Sequence, residues 1–193
     1  MKRIILIAGP SGAGKTTISE YLKRKYDIPR VITHTTRPMR EGEVDKESYY
    51  FENDDTFAKL HFFEHVKYGS YQYGSSREAL DEAWKNNDLV SLIVDIQGVK
   101  SYLKQLGDQV YFLYVTASSI EELKERLIRR GDSIQSVKER LSGSELNQLS
   151  DDLKPYAHVL LNDSWENTAQ RLDAIIAGLR KDWDLLFYKK IQN

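Results

Sequence analysis

The sequence predicts an α/β fold of three layers, α/β/α, in which a parallel β-sheet is covered by helices on both faces. Four short runs are continuously apolar and rich in β-branched residues, which is typical of strands buried on both faces. They are residues 4–7, 89–94, 110–115 and 158–161. Segments with helical periodicity lie between these runs, and strands that alternate with helices form parallel sheets. A chain of 193 residues is long enough for one such core with inserted lobes.

Capping boxes mark the starts of three predicted helices. The starts are Ser75, Ser119 and Asp163, and each is followed three residues later by a glutamate. In this arrangement a side-chain oxygen accepts one of the unpaired N–H groups of the first helical turn. A further helix is predicted over residues 15–26, after the first strand.

Two stretches interrupt the alternation of strands and helices. Residues 30–73 are rich in Thr, Tyr, Gly and charged residues, with short aromatic runs separated by turn residues. This pattern predicts a small, mostly β lobe inserted into the core. Residues 126–140 contain Arg126, Arg129, Arg130 and Arg140, and we interpret this stretch as a mobile flap between two helices.

Composition excludes several classes of protein. The 28 basic and 29 acidic residues nearly cancel, which argues against a positively coated surface for non-specific nucleic-acid binding. The chain has no cysteine, so it has no disulfide, thiolate nucleophile or cysteine-ligated zinc. The N-terminal apolar run is too short for a signal peptide or a membrane span, which favours a cytoplasmic protein without a membrane partner.

Residues 9–16 match the phosphate-binding pattern G-x-x-x-x-G-K-[ST], between a predicted strand and a predicted helix. Such a loop points backbone N–H groups at phosphate oxygens, and the helix N-terminus also favours an anion. Lys15 would add a charge between the β- and γ-phosphates, and the Thr16 hydroxyl can ligate Mg²⁺. The alternative is a turn that merely joins strand to helix. The residues expected to bind ATP are Gly9, Ser11, Gly12, Ala13, Gly14, Lys15, Thr16 and Thr17.

A second cluster suited to phosphate lies at residues 35–43, where Arg37 and Arg40 stand three residues apart. Pro38 stiffens the segment between them. Two guanidinium groups on one short loop can grip a phosphate dianion, and Tyr49 and Tyr73 could add hydroxyl donors. The alternative reads the arginines as solvated surface charge and the tyrosines as hairpin packing.

Taken together, these motifs resemble the guanylate kinase family. The resemblance covers Gly-Pro-Ser-Gly-x-Gly-Lys-Thr at 9–16, Thr-Thr-Arg-x-x-Arg-x-Gly-Glu at 35–43, Tyr49, Glu64, Tyr-Gly-Ser at 73–75 and Asp-Ile-Gln-Gly at 95–98. The order and spacing of these motifs match those of the family from the first residues to about residue 163, which is nearly the whole chain. The resemblance implies a P-loop core at 1–32, 81–125 and 146–193, a GMP-binding lobe at 33–80 and a helical lid at 126–145, within a single domain.

The resemblance also implies a role for each residue that matches the family's motifs. Arg37, Arg40, Tyr49 and Tyr73 would bind the GMP phosphate, and Thr33, Glu64 and Ser75 would contact the nucleotide around its base. Arg130 and Arg140 would act with Lys15 and Arg37 on the transferring phosphate, and Asn162 would lie near ATP. Asp95 would lie beside the substrate and orient Mg²⁺ or its waters, or else cap a helix.

Glu64 has a chemical rationale of its own. Guanine presents two adjacent donors, N1–H and the 2-amino group, and one carboxylate accepts both. Adenine has no donor at N1, so its pairing with Glu64 would leave buried polar atoms unmatched, at about 1–3 kcal/mol each. The alternative is a surface glutamate.

The sequence departs from the family pattern at a few positions. Ile93 stands where the family carries the first of two acidic residues, which would weaken or alter the choice of base. Thr33 replaces a more usual serine and keeps the hydroxyl. The stretch between Arg130 and Arg140 is about one residue shorter than the common pattern.

The predicted function is therefore phosphoryl transfer from ATP to GMP, with Mg²⁺ and without a general base, by a monomer or homodimer. A nucleoside monophosphate is already ionised near neutral pH, so positioning and electrostatics supply most of the catalysis. Two alternatives stay open: a kinase for another nucleotide or a phosphorylated sugar, and a non-catalytic guanylate-kinase-like module. Residues 182–193, with Trp183, Leu186 and Phe187, could pack on the core or on another subunit.

Overall fold

The structure is a computed structural model that describes the backbone of residues 2–141 and 148–191, and the side chains as far as Lys181. The strands are β1 (Arg3–Ala8), β2 (His34–Thr35), β3 (Tyr50–Phe51), β4 (Phe62–Tyr68), β5 (Tyr71–Ser76), β6 (Leu89–Ile93), β7 (Val110–Thr116) and β8 (Ala157–Leu161). The α-helices are α1 (Lys15–Tyr26), α2 (Asp54–Phe57), α3 (Arg77–Asn86), α4 (Ile96–Leu106), α5 (Ile120–Arg129), α6 (Ile134–Leu141) and α7 (Trp165–Ile191).

The main sheet is parallel, with strand order β6-β1-β7-β8. Its members are the four strands predicted from apolar runs, and α1 has the predicted bounds. Beyond β6, the chain at Arg30 forms a parallel bridge with Ser91, which continues the sheet by one short segment. Each loop that follows a strand of this sheet therefore emerges at the same edge.

Helices cover both faces of the main sheet, so the predicted three layers are confirmed. Alternate residues of β1 point to opposite faces, as the strand pleat requires. Ile4 and Leu6 pack with α3 and α4, whereas Ile5 and Ile7 pack with α1 and α7. Each fully buried aliphatic side chain contributes about 2 kcal/mol of burial free energy, so the sheet is a rigid support for the loops at its edge.

A second sheet, with strand order β3-β2-β5-β4, forms the inserted lobe. The pairs β2–β5 and β4–β5 are antiparallel, and β2–β3 is parallel. The mostly β character predicted for residues 30–73 is therefore confirmed. The expected lobe boundary at residue 80 lies inside α3.

One of the three predicted helix starts is confirmed, and two are wrong. Ser119 caps α5 by accepting a backbone N–H from three residues on. The cap of α3 is Ser76, the last residue of β5, whose hydroxyl accepts the backbone N–H of Ala79. Asp163 accepts the backbone N–H of Ser118 at 2.8 Å, and α7 begins two residues later.

The arginine-rich stretch is mostly helical. Arg126 and Arg129 lie in α5 and Arg140 lies in α6, with a turn at residues 130–133 between them. The prediction that this stretch lies between two helices is therefore wrong, since it forms the end of α5 and most of α6, and its mobility stays a prediction. The lid residues 142–145 lie outside the described part. The backbone of residues 182–191 continues α7, and the side chains predicted to pack there are also outside it.

Within the described ranges, no helix combines the length and the hydropathy needed to cross a membrane.

Candidate active site

A cavity of about 740 Å³ brings the phosphate-binding loop together with residues distant in the chain. Its wall includes six of the eight loop residues predicted to bind ATP, namely Ser11, Gly12, Gly14, Lys15, Thr16 and Thr17, but not Gly9 or Ala13. Arg130 and Arg140, predicted to reach the transferring phosphate, and Asn162, predicted to lie near ATP, also line it. We call this space the donor cavity.

Two glycines give the loop its shape. Gly9 has a φ of 140° and Gly14 a φ of 93°, which side chains rarely tolerate. A Cβ at Gly9 would collide with the carbonyl of Val115, and one at Gly14 would collide with the amide of Asn162. The loop can therefore lie against β7 and the end of β8 only because these residues lack side chains.

Lys15 and the N-terminus of α1 place positive charge at the loop. The Lys15 ammonium donates to the carbonyls of Gly9 at 2.7 Å and Pro10 at 2.9 Å, so it folds over the loop. The cap position of α1 is Gly14, which provides no side-chain acceptor for the first amides. Helix N–H groups in this position favour an anion.

Asn162 supports the loop. Its buried amide donates to the carbonyl of Ala13 at 2.8 Å, and its side-chain oxygen accepts from the Thr168 hydroxyl at 2.8 Å. Arg126 donates to the Asn162 carbonyl at 2.6 Å. The side-chain amide of Asn162 therefore holds the loop in place.

Both predicted lid arginines reach the donor cavity. Arg130 donates to the carboxylate of Asp132 at 2.5 and 2.9 Å, and Arg140 donates to the Ser136 hydroxyl at 3.2 Å. The Arg130 side chain is 56% exposed. Its partner Asp132 is 18% exposed, so the pair is open to solvent on the guanidinium side, from which a phosphate can approach.

A second cavity, of about 410 Å³, lies between the lobe and α4. We call it the acceptor cavity. Six of the predicted substrate-binding residues line it together: Thr33, Tyr49, Glu64, Tyr73, Ser75 and Asp95. The predicted residues Arg37 and Arg40 are not among its lining residues.

Arg37 lies behind this wall and is paired with Glu43. Its guanidinium makes two hydrogen bonds to that carboxylate, at 2.7 and 3.0 Å, and a third to the Pro38 carbonyl at 2.7 Å. It also lies 5.7 Å from the ring centre of Tyr49. The Arg37 guanidinium lowers the pKa of the Glu43 carboxyl. The Arg40 side chain is exposed, and its backbone N–H donates to Glu43 at 2.8 Å.

The surroundings of Glu64 disfavour the ionised form of its carboxyl group. Burial, and secondly the nearby Asp95 carboxylate, raise the pKa of Glu64 from 4.5 to about 7, although the Ser75 hydroxyl acts in the opposite direction. A displaced carboxyl pKa in a cleft is typical of a functional site. Asp95 was predicted either to orient Mg²⁺ or its waters or to cap a helix. In the structure it caps α4 by accepting the Gly98 N–H at 2.7 Å.

Ile93 lies outside both cavities. It ends β6 and packs beside the apolar cluster of Ile5 and Ile7, on the sheet face that α1 covers.

Sequence reasoning missed several residues of these sites, of which three bear on the argument. Glu43 is the last residue of the arginine motif, and its separation of six residues from Arg37 was the available signal that the two side chains could pair. Arg126 was counted only as a lid arginine, although it contacts Asn162. Trp165 lines the donor cavity beside the loop, and no motif indicated it.

Comparison with known proteins gives one consistent family. The family model described as guanylate kinase matches residues 1–179. The chain is 36% identical to a guanylate kinase of Clostridium perfringens, covering 90% of this chain and 82% of the relative. It is 34% identical to one of Caldanaerobacter subterraneus, covering 98% and 94%. Among solved structures, guanylate kinase from Anaplasma phagocytophilum has a TM-score of 0.62 at 24% identity, over 92% of this chain and 85% of that chain.

Proposed function

Because the chain belongs to the guanylate kinase family, we propose that it transfers the γ-phosphoryl group of ATP to the phosphate of GMP, releasing ADP and GDP. The observation that carries this proposal is the pair of cavities at one edge of the sheet. The loop follows β1, Asp95 follows β6 and Asn162 follows β8. Ligands of open α/β sheets bind outside the carboxyl ends of the strands.

In the donor cavity, Lys15 and the amides at the start of α1 would bind the β- and γ-phosphates. Mg²⁺ fits the donor set, because Thr16 lines the donor cavity next to Lys15 and offers a hydroxyl oxygen, a hard donor of the kind that Mg²⁺ prefers. Among the described residues no group of three or more His, Asp or Glu forms a metal site. When bound, Mg²⁺ would neutralise charge on the phosphates. Orienting the ion or its waters remains a proposed role of Asp95.

In the acceptor cavity, Tyr49 and Tyr73 would donate to the GMP phosphate from the wall, and Arg37 and Arg40 from the loop behind it. Glu43 holds the Arg37 guanidinium in one orientation before the substrate arrives. Pre-orientation lowers the entropy lost on binding.

Glu64 would read the base, with Thr33 and Ser75 around it. The carboxylate accepts from guanine N1–H and the 2-amino group, so both donors have a charged partner in a cavity that excludes much of the water. Guanine would also favour the ionised form of a carboxyl whose pKa is raised to about 7 in the free protein.

The chemical step needs no general base from the chain. The attacking oxygen belongs to a phosphate whose second pKa is about 6, so it is ionised near neutral pH. Arg130 and Arg140 would stabilise charge on the transferring group. We propose that residues 33–80 and 126–145 close on the core as lobe and lid, which keeps water from the γ-phosphate.

The proposal extends to the setting of the enzyme. Small nucleotides are its proposed partners, without nucleic acid, in the cytoplasm where these nucleotides occur. Monomer and homodimer are both compatible with it, and light scattering of the purified chain would distinguish them.

A substrate panel tests the function. Purified protein with Mg-ATP should release ADP fastest with GMP and dGMP, and much more slowly with IMP, AMP, CMP and UMP. A strong preference for another acceptor would replace GMP in the proposal. If no monophosphate in the panel is converted to a diphosphate, the chain is not a nucleoside monophosphate kinase.

A further inference from the structure

The backbone conformation at Gly98 does not require a glycine. It is the third residue of α4 and does not have a positive φ. Among residues other than proline, glycine is the least favoured in a helix. The residue is also buried, at a position where a small side chain would ordinarily add packing. Another part of the structure must account for it.

The carboxylate of Glu64 occupies the space that a side chain at Gly98 would need. A Cβ built there would lie 2.6 Å from the Glu64 carboxyl carbon and 3.0 Å from Oε1, and closer still to Oε2. Real Cβ atoms almost never approach another heavy atom within 3.0 Å. All three nearest atoms belong to Glu64, so this carboxylate lies directly against the bare Cα.

A β-bulge aims Glu64 at the helix. The register between β4 and β5 shifts between Phe62 and Glu64, which leaves Phe63 as the extra residue. Neighbouring residues of a regular strand point to opposite faces, and a bulge can turn two of them to one side.

Both residues of the bulge contact one face of α4. The Phe63 ring stacks on Tyr102, with ring centres 4.1 Å apart and planes inclined by 19°. Glu64 lies against Gly98, four residues before Tyr102 and therefore on the same side of the helix. The aromatic stack fixes the distance between strand and helix, and the carboxylate has to fit the gap that remains.

Without free space over Gly98, repulsion from a neighbouring carboxylate would move the Glu64 carboxylate. Asp95, which caps α4 through the Gly98 N–H, repels the Glu64 carboxylate and helps to raise its pKa. A flexible glutamate side chain relieves such repulsion by rotating toward solvent. Space over Gly98 is what lets it remain inside the acceptor cavity.

We propose that Gly98 is a positioning residue for base recognition, because its missing side chain lets the Glu64 carboxylate face the N1–H and 2-amino donors of guanine. This inference rests on the proposed function. Alanine at this position would push the carboxylate out of line without touching the phosphate-binding groups.

Gly98→Ala tests the inference with GMP and IMP, because IMP keeps N1–H and lacks the 2-amino group. The preference for GMP over IMP in kcat/KM should narrow by about tenfold, the value of one charge-assisted hydrogen bond. The KM for ATP should stay within about twofold of wild type, since the donor cavity is unchanged. Gly178→Ala is the matched control, because a Cβ at this helical glycine of α7 would meet nothing within 4 Å.

A second background keeps the test decisive if Gly98→Ala folds poorly. In a Glu64→Ala protein the obstructing carboxylate is gone, so adding Gly98→Ala should not lower the melting temperature or change the GMP-to-IMP ratio. A fall in melting temperature there would overturn the inference, as would an unchanged ratio in the single variant. A wild-type protein that fails to phosphorylate GMP would instead refute the proposed function.

Discussion

Replacing Glu64 by glutamine should make the nucleotide-free protein more stable at alkaline pH. The Glu64 pKa is 4.5 as an ordinary value and about 7 in the folded protein. A group whose pKa is raised by folding contributes its stability below the unfolded pKa and loses it as the pH rises through the folded pKa. The loss therefore begins near pH 4.5 and is nearly complete above pH 7.

The magnitude follows from the size of the shift. Each pKa unit corresponds to about 1.4 kcal/mol, so ionised Glu64 lowers the free energy of unfolding by about 3 kcal/mol at pH 8. Glutamine has nearly the same shape and no charge. The difference in the free energy of unfolding, glutamine variant minus wild type, should grow by about 2–3 kcal/mol between pH 5 and pH 8.

Urea denaturation of both proteins at a series of pH values, without nucleotide, measures this difference. Subtracting wild type from variant removes the contribution of every other titrating group. Glu47→Gln, at an exposed carboxylate of the same lobe, is the matched control for the change from carboxylate to amide. A difference for Glu64→Gln that changes with pH by no more than that of the control, within about 0.5 kcal/mol, would refute the claim that burial and Asp95 disfavour the ionised Glu64 carboxylate.

Three further substitutions test the phosphate-binding groups and their support. Lys15→Ala should lower kcat by about 100-fold or more, because a fixed charge on the transferring phosphate is lost; near-normal turnover would count against the loop. Arg37→Ala should raise the KM for GMP by about 100-fold and that for ATP by under about threefold, and equal effects on both would refute its role in acceptor binding. Asn162→Ala should lower the free energy of unfolding by about 1–3 kcal/mol, because the Ala13 carbonyl and the Thr168 hydroxyl lose buried partners. It should also raise the KM for ATP. Steady-state kinetics measures this KM and urea denaturation measures the free energy of unfolding, so together they show whether only one of the two quantities changes.

The main sheet was predictable from sequence because burial on both faces leaves unbroken apolar runs. The helix starts were less predictable. Ser75 has the glutamate three residues on that a capping box requires, whereas the observed cap, Ser76, has Ala79 at that position. The pairing of β5 with β4 continues through Ser76, so the strand extends one residue beyond the predicted cap. Similarly, Asp163 is a residue type that commonly caps helices. Its carboxylate instead accepts the backbone N–H of Ser118, which lies in a loop distant in the chain.

The candidate site shows the same division. Resemblance to a family predicted which residues would meet in each cavity, and the structure brings most of them together there. It did not predict partners such as Glu43, whose contact with Arg37 depends on how the loop between them turns. Gly98 was quoted within a motif, but its contact with Glu64 depends on a bulge that no local pattern in the sequence indicates.

The positive groups of the two sites already have partners within the chain, and their different exposure suggests an order of events. The Arg37 side chain is 7% exposed and the Arg130 side chain 56%, while their partners Glu43 and Asp132 are similarly buried, at 21% and 18% exposure. A buried guanidinium bonded to both carboxylate oxygens resists separation more than an exposed one bonded to a single oxygen, since water cannot replace the lost bonds. Arg37 should therefore keep Glu43 when the acceptor phosphate binds and act from a fixed position. In the proposed mechanism Arg130 would exchange Asp132 for a phosphate oxygen, so its charge would reach the transferring group only when the donor is bound and the helices α5 and α6 approach it.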